Sequence, residues 1–322
     1  MLSGSFHRLM TRAAVSLGPT NPMLRLALSA ACRRHNASLS FGADVINIVK
    51  DHRIVRIASK HFFYVLDMSR SFDFYFLQVD SERLDGKEIV DYSRPRVQRY
   101  RSSGLEFELS SFAEEEAALD GYFRWYRPKA GDVVFDLGAY CGVTTYHFSR
   151  MVGPTGKVYC FEPDATNYPL LLNNVKRHNL TNVVPLQLAV AANSGTAQFN
   201  AEGVLGSALS RCMPRASAGS TGNVEVISLP DACSRWGVPN FIKVDIEGAE
   251  LEIIASAREF LAQHSIQFAL DTNHWVNGVR TNAGVERLFA ECGYEAESSE
   301  EYGFMTTWAR KRGSSSDCAR PA

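Results

Sequence analysis

The pattern of apolar and polar positions divides the chain into two regions with different periods. In the first region, short runs rich in β-branched and aromatic residues alternate with polar breaks, which predicts strands. The predicted strands are Val45–Val49, Ile54–Ile57, Phe62–Leu66 and Phe72–Val79. In the last run, phenylalanines recur at every second position, which places them on one face of a strand. We therefore predict that residues 44–124 form a β-rich region that ends in a helix at Phe112–Tyr126.

From Asp132 onward, apolar runs alternate with segments of helical period, which predicts βαβ units and a parallel sheet. The predicted strands are Asp132–Asp136, Lys157–Glu162, Val183–Ala189, Thr196–Phe199, Val224–Ser228, Phe241–Asp245, Ile266–Asp271, Tyr294–Ala296 and Met305–Arg310. The predicted helices are Thr144–Val152, Ala165–His178, a short one at Pro230, Ala249–His264 and Val285–Cys292. We assign residues 125–310 to one α/β domain and expect a disordered tail at residues 311–322. The glycine-rich stretch 201–222 could be a lid or a disordered loop.

Composition narrows the classes of partner. The 322 residues carry a formal net charge of −1, which gives no global attraction to nucleic acid. The seven cysteines are odd in number and none has C-x-x-C spacing, so a disulfide framework or a zinc cluster is not expected. No apolar stretch reaches the roughly 18 residues that span a bilayer. We expect a cytoplasmic protein with no membrane span, and the oligomeric state stays open.

The N-terminal segment, residues 1–43, contains five arginines and no aspartate, glutamate or lysine. An acid-free, arginine-bearing start is compatible with an organellar transit peptide. Short segments of this kind are more often a surface helix or a frayed terminus, and we favour that interpretation.

The segment from Val133 to Gly142 contains the most informative motif. An apolar strand ends in Asp136 and continues into a turn that contains Gly138 and Gly142, where glycine allows a tight turn and close approach of a ligand. The next strand ends in Glu162, twenty residues after Gly142, where an acid can accept hydrogen bonds from both hydroxyls of a ribose. These features predict an adenosine-type ligand.

The same turn argues against a dinucleotide. A G-x-G-x-x-G fingerprint that begins at Gly138 needs glycine at position 140, where Tyr140 stands. Two glycines without the central one suit a ligand that carries no phosphate, such as S-adenosylmethionine. The predicted cofactor-binding residues are Asp136, Gly138, Ala139, Tyr140, Gly142, Glu162, Pro163 and Asp245.

The chain resembles the FkbM-type family of class I S-adenosylmethionine-dependent methyltransferases. The matching segments are Asp136-Leu137-Gly138-Ala139 with Gly142, Phe161-Glu162-Pro163-Asp164, and Ile242-Lys243-Val244-Asp245-Ile246-Glu247-Gly248-Ala249-Glu250. The resemblance implies a Rossmann-like sheet of seven strands, the last antiparallel, and methylation of a hydroxyl on a sugar or natural-product intermediate. One segment departs from the family: Ala189–Gly195 contains no acidic residue, which leaves the contacts to the adenine edge without a candidate.

The catalytic candidates follow the fourth and fifth strands. A methyltransferase must align the acceptor oxygen and remove its proton. Asp245, Asp271 and His274 are the predicted catalytic residues, and His274 is the preferred general base because its ordinary pKa lies near neutrality. Asp245 could instead shape the floor of the site or orient the methionyl amine, and Glu247 could stabilise the start of the following helix.

A magnesium site is the alternative use of the same strand ends. Asp245, Asp271 and Asn273 offer three oxygen ligands of the kind that Mg²⁺ prefers. Three oxygens without demonstrated convergence are usually structural, so we predict no metal.

The leading hypothesis is thus an S-adenosylmethionine-dependent O-methyltransferase that acts on a sugar, glycolipid or other small hydroxyl compound. A nucleic-acid N-methyltransferase usually carries an Asn- or Asp-Pro-Pro-aromatic segment at the fourth strand, and Asp245-Ile246-Glu247-Gly248 differs from it. A nicotinamide-dependent oxidoreductase and a non-catalytic cofactor-binding module remain as alternatives.

Overall fold

A computed structural model describes residues 18–116, 119–201, 208–209, 220–276, 278–301 and 303–313. The expected disordered tail from residue 314, the start of the N-terminal segment and most of the glycine-rich stretch lie outside these ranges. The chain divides into two compact units, the first ending at Glu114 and the second beginning at Glu115. In the described part of the chain, no helix has the length and apolar character that crossing a membrane requires.

The first unit is built on a five-stranded sheet in the order β1-β2-β3-β5-β4, in which only β3 and β5 run parallel. Its strands are β1 (Ser38–Phe41), β2 (Val45–Lys50), β3 (Arg53–Ala58), β4 (Glu82–Leu84) and β5 (Lys87–Tyr92), followed by the ribbon of β6 (Arg96–Arg99) and β7 (Glu106–Leu109). Its helices are α1 (Pro22–Arg33), α2 (Val65–Arg70) and α3 (Phe72–Leu77), with a 3-10 helix at Ser59–Tyr64.

Two of the strands predicted in this unit are wrong. Phe62–Leu66 falls in the 3-10 helix and the start of α2, and Phe72–Val79 forms helix α3. The physical reason is that Phe72 and Phe76 are four residues apart, so alternating phenylalanines also match one face of a helix. Both rings are buried and stack 5.8 Å apart, whereas Phe74 between them is exposed. The predicted helix at Phe112–Tyr126 is also too long, because the described helix there is only α4 (Leu119–Tyr122).

The second unit contains a seven-stranded sheet in the order β10-β9-β8-β15-β16-β20-β19. Its strands are β8 (Val133–Leu137), β9 (Lys157–Phe161), β10 (Val183–Leu186), β15 (Phe241–Val244), β16 (Gln267–Asp271), β19 (Tyr294–Ser299) and β20 (Thr306–Lys311). Between β16 and β19, β17 (Trp275–Val276) and β18 (Val279–Arg280) form a separate antiparallel pair. The pairings from β10 to β16 are parallel, and β20 is antiparallel to both of its neighbours. The predicted sheet with an antiparallel last strand is confirmed.

The helices of the second unit fall close to their predicted positions. Besides α4, they are α5 (Val143–Val152), α6 (Asn167–Arg177), α7 (Leu229–Trp236), α8 (Glu250–Ser256), α9 (Arg258–Gln263) and α10 (Asn282–Glu291). One predicted helix, Ala249–His264, is broken at Ala257, whose φ of −92° and ψ of 8° leave the helical range. The central strands are buried on both sides, as expected for a parallel sheet covered by helices.

The part of the chain between β10 and α7 contributes a separate four-stranded sheet in the order β11-β14-β12-β13. Its strands are β11 (Ala189–Ala191), β12 (Gly195–Ala201), β13 (Ala208–Leu209) and β14 (Ser220–Ser228). The single strand predicted at Val183–Ala189 is therefore two strands in different sheets, because β11 pairs with β14 and not with β9.

Candidate active site

The turn after β8 is held by backbone conformations that favour glycine. Gly138 and Gly142 have φ of +79° and +91°, and Tyr140 between them has φ of +49°. A Cβ on Gly138 would lie 1.8 Å from the carbonyl oxygen of Asp245, and one on Gly142 would lie 2.6 Å from Cδ1 of Leu171. Gly138 is therefore required by packing against backbone, a reason that the sequence motif did not reveal, whereas Gly142 is favoured mainly by its left-handed backbone.

Asp136 lies below this turn and is fully buried. Its Oδ2 accepts hydrogen bonds from the hydroxyls of Thr144 and Thr145 at 2.8 and 2.7 Å, which ties the end of β8 to the first turn of α5. Its other oxygen lies 3.4 Å from Nζ of Lys243. Asp136 thus supports the shape of the turn, and its predicted contact with a cofactor stays a prediction.

Lys243 is a functional candidate that the sequence reasoning missed. It stands in β15, has no exposed surface, and donates a hydrogen bond of 2.8 Å to the carbonyl oxygen of Gly138. Its Nζ also lies 3.9 Å from Oδ2 of Asp245, so one cation joins the ends of β8 and β15. The available signal was a lysine inside an otherwise apolar strand run, since a charged residue is rarely buried unless it is paired.

Glu162 follows β9 and faces the same turn. Its Oε2 accepts a hydrogen bond of 2.9 Å from the backbone N–H of Tyr140, and its Oε1 accepts one from the N–H of Asp164. Burial, together with the charge of Asp164, raises the pKa of Glu162 to about 8. Pro163, which follows Glu162, and Gly138 are half-buried, whereas Ala139 and Tyr140 are buried.

Asp245, Asp271 and His274 come together beyond the ends of β15 and β16. Each offers a ligand-type atom, and these atoms lie within 4.8 Å of one another. The parallel pairing of the two strands explains the convergence, because Val244 pairs with Leu270 and both chains leave the sheet at the same edge. The sequence predicted these three residues, and the structure brings all of them together.

Two glutamates surround His274. Glu250 accepts a hydrogen bond from Nδ1 at 2.8 Å, and Oε2 of Glu247 lies 3.6 Å from Nε2. A left-handed turn places them there, with φ of +56° at Glu247 and +103° at Gly248. Glu250 is fully buried and was not among the predicted site residues, although it closes the most specific matching segment.

Burial and these charges shift the pKa values of Asp271 and His274. Burial, reinforced by the charge of Asp245, raises the pKa of Asp271 to about 6. Burial alone would lower the pKa of His274, but the carboxylates of Glu250 and Glu247 outweigh that effect and raise the pKa well above its usual 6.5. Asp271 thus keeps its proton to higher pH than an ordinary aspartate, and the imidazolium form of His274 is stabilised.

The ligand set of the alternative magnesium site is not the one that the sequence suggested. Asn273 is exposed, and its backbone N–H donates to Oδ1 of Asp271. His274 takes its place next to Asp245 and Asp271, with its Nδ1 already engaged by Glu250. That the reaction needs no metal stays a prediction.

The sheet order, the glycine turn after the first strand and the acids at the following strand ends define a class I methyltransferase domain. Residues 136–296, half of the chain, match the Methyltransferase FkbM domain. The chain belongs to that family, as its motifs predicted, and the cofactor of the domain is S-adenosylmethionine.

Known proteins resemble the chain to different extents. The hexuronic acid methyltransferase AglP of Haloferax volcanii is 26% identical over 145 residues, which are 44% of this chain and 56% of that protein. The chain therefore spans little more than half of that relative. The methyltransferase FkbM structure from Methylobacillus flagellatus is 15% identical at a TM-score of 0.43, covering 88% of this chain and 58% of the other. Fibrillarin of Aeropyrum pernix is 16% identical at a TM-score of 0.39, covering 85% and 97%.

The donor set suits the cofactor. Glu162 offers a carboxylate beside the turn where a ribose diol can donate hydrogen bonds, and Asp245 offers one to an ammonium group. Four carboxylates near His274 outnumber the single imidazolium, so the cluster has the negative charge that a cationic sulfonium requires. The residues that would hold the cofactor are Glu162 and Asp245, with the backbone of the glycine turn.

The raised pKa of Glu162 gives a test of its predicted contact. Ribose hydroxyls would stabilise the carboxylate, so binding should release a proton below pH 8. We expect the affinity for S-adenosylhomocysteine to increase with pH up to about 8, by as much as about tenfold per unit. Glu162→Gln should lose the pH dependence and bind at least tenfold more weakly, about 1.4 kcal/mol. Isothermal titration between pH 6 and 9 measures both effects.

Glu259→Gln is the matched control, because Glu259 is exposed on α9. This variant should bind like the unmodified protein at every pH. Equal affinity of Glu162→Gln and the unmodified protein, with folding intact, would show that Glu162 does not contact the ligand.

Proposed function

We propose that this chain is an O-methyltransferase that transfers a methyl group from S-adenosylmethionine to a hydroxyl of a sugar or a similar small molecule. The observation that carries the proposal is the convergence of Asp245, Asp271 and His274 beside the glycine turn. Bound S-adenosylmethionine supplies an electrophilic methyl group, which makes a displacement by an acceptor oxygen possible.

The residues of the cluster supply position and a proton acceptor. After losing its own proton, His274 would accept the hydroxyl proton at Nε2 as the acceptor oxygen takes the methyl group from the sulfonium, which would leave S-adenosylhomocysteine and an imidazolium. Asp271 and Asp245 lie within reach of the same point and can accept hydrogen bonds from neighbouring hydroxyls of the acceptor. A polyhydroxylated acceptor suits such a set of acceptors better than a phosphate-rich nucleic acid, which the carboxylates would repel.

The relative named for hexuronic acid, 26% identical over 145 residues, supports a carbohydrate acceptor. The carboxylates around His274 favour methylation at a ring hydroxyl over methylation at the acceptor's own carboxylate. We therefore infer a hexose or hexuronic acid unit as the substrate class.

The test is a methyl-transfer assay of the full chain with S-adenosylmethionine and paired acceptors, the methyl glycosides of glucose and glucuronic acid. We expect formation of S-adenosylhomocysteine and a methyl ether on at least one acceptor, with its position assigned by mass spectrometry and NMR. Binding of S-adenosylhomocysteine without transfer to a broader panel of sugars and glycolipids would instead favour the non-catalytic module.

A further inference from the structure

The hydrogen bond between Glu250 and His274 has a chemical consequence for the imidazole. A carboxylate can only accept hydrogen bonds, so the hydrogen in the 2.8 Å contact belongs to Nδ1 of His274. In the neutral ring, the lone pair is then on Nε2. That nitrogen lies 3.6 Å from Glu247, which is longer than a hydrogen bond.

Glu250 is held in one position by its surroundings. Its side chain has no exposed surface, and the same Oε1 also accepts a hydrogen bond of 3.0 Å from the backbone N–H of Gly248. The left-handed backbone at Glu247 and Gly248 brings this N–H back onto the carboxylate. A non-glycine residue such as Glu247 is strained in that conformation, and such strain is concentrated at functional sites.

An amide at this position could accept the same two hydrogen bonds through its oxygen, or, with the amide rotated, donate an N–H to Nδ1 and select the other tautomer. A carboxylate can only accept, so it allows one tautomer alone. Moreover, in the described part of the chain Oε2 of Glu250 is buried and makes no hydrogen bond, which is unusual for a carboxylate oxygen. The carboxylate thus has one charged partner among the described residues, His274, and a contact geometry in which it can only accept from Nδ1.

We propose that Glu250 is a positioning residue that fixes His274 in the tautomer with the proton on Nδ1, so that Nε2 is the proton acceptor. The inference rests on the proposed function, because it assigns a role within that reaction. Glu250 itself does not touch the acceptor; it orients the ring and stabilises the imidazolium that forms. An equivalent arrangement, a buried carboxylate on Nδ1, orients the histidine of serine proteases.

The pH dependence of the reaction should reflect every charge that faces the imidazole. Those groups are Glu247 and Glu250 on the turn and the start of α8, Asp245 after β15, and Asp271 at the end of β16. Glu250, Glu247 and Asp271 stabilise the imidazolium, so the rate should rise with pH as His274 loses its proton. Removing one of these three charges should move that rise to lower pH.

The experiment compares Glu250→Gln, Glu247→Gln and Glu252→Gln in the full chain. Imidazole ¹⁵N NMR above the pKa of His274 determines the tautomer without any acceptor, and steady-state assays give kcat, KM and the pH profile. For Glu250→Gln we expect a mixed tautomer, a kcat reduced tenfold or more, an acid limb at lower pH, and acceptor KM and S-adenosylhomocysteine affinity within about threefold.

The other two variants separate position from charge. Glu247→Gln should also move the acid limb to lower pH but keep the proton on Nδ1, and the exposed Glu252 should tolerate glutamine without effect. A single Nδ1-protonated tautomer in Glu250→Gln, or an Nε2-protonated one in the unmodified protein, would overturn the proposal. Absence of methyl transfer with the expected tautomers would reject the proposed function and leave the orienting contact established.

Discussion

Replacing Gly138 by alanine should abolish S-adenosylhomocysteine binding and lower the free energy of unfolding by about 4 kcal/mol or more. The added Cβ would lie 1.8 Å from the carbonyl oxygen of Asp245 and 2.9 Å from its carbonyl carbon, and both atoms belong to backbone that cannot rotate away. The turn and the end of β15 must therefore separate. Because Asp245 is at that strand end, the same displacement moves a predicted cofactor-binding residue.

Gly131→Ala is the matched control for this prediction. Gly131 has φ of +89°, close to the +79° of Gly138, but a Cβ there would meet only Oγ1 of Thr155 at 3.9 Å. Its substitution should cost about 1–2 kcal/mol from the left-handed backbone alone and leave ligand binding unchanged. Denaturant unfolding and isothermal titration of both variants give the comparison. Equal losses of stability, with binding retained in both, would contradict the steric explanation.

The strands and helices of the second unit could be predicted because their signals are local and agree with one another, whereas the antiparallel last strand was implied by the family resemblance. Apolar runs such as Phe241–Val244 are buried on both sides, and helical segments of ordinary length separate them. Strand predictions in the first unit were wrong where the same residues fit both the two-residue period of a strand and the 3.6-residue period of a helix, as at Phe72 and Phe76. Burial decides between the two structures, and burial depends on the rest of the fold.

The site was predicted as far as topology determines it. Parallel strands end at one edge, so Asp245, Asp271 and His274 could be expected to meet. Lys243 was missed although its apolar strand run hints at burial, and Glu250 was missed because nothing local indicates that its side chain is buried. Their roles come from partners distant in sequence, Asp136 and Gly138 for the lysine and His274 for the glutamate.

Lys243→Met should be the most destabilising of the charge-removing substitutions, by about 3–5 kcal/mol. Methionine fits the space of the lysine stem, so the loss comes from the ammonium group. Without it, the carboxylate of Asp136 remains fully buried with no cation beside Oδ1, and the carbonyl oxygen of Gly138 loses its 2.8 Å hydrogen bond. Lys157→Met, at a partly exposed position in β9, should change stability by no more than about 0.5 kcal/mol.

A double-mutant cycle with Asp136→Asn tests whether the pair is the cause. Asparagine can still accept from Thr144 and Thr145 while carrying no charge, so the double variant should be more stable than the sum of the two single losses predicts. Residues in direct contact typically show coupling of about 0.5–3 kcal/mol in such cycles. Additive losses would mean that Lys243 acts through its packing and its hydrogen bond to Gly138. Coupling would instead show that the buried ion pair of Asp136 and Lys243 joins β8, which leads into the glycine turn, to β15, which leads to Asp245. The predicted cofactor-binding and catalytic residues at the two strand ends would then be stabilised by the same ion pair.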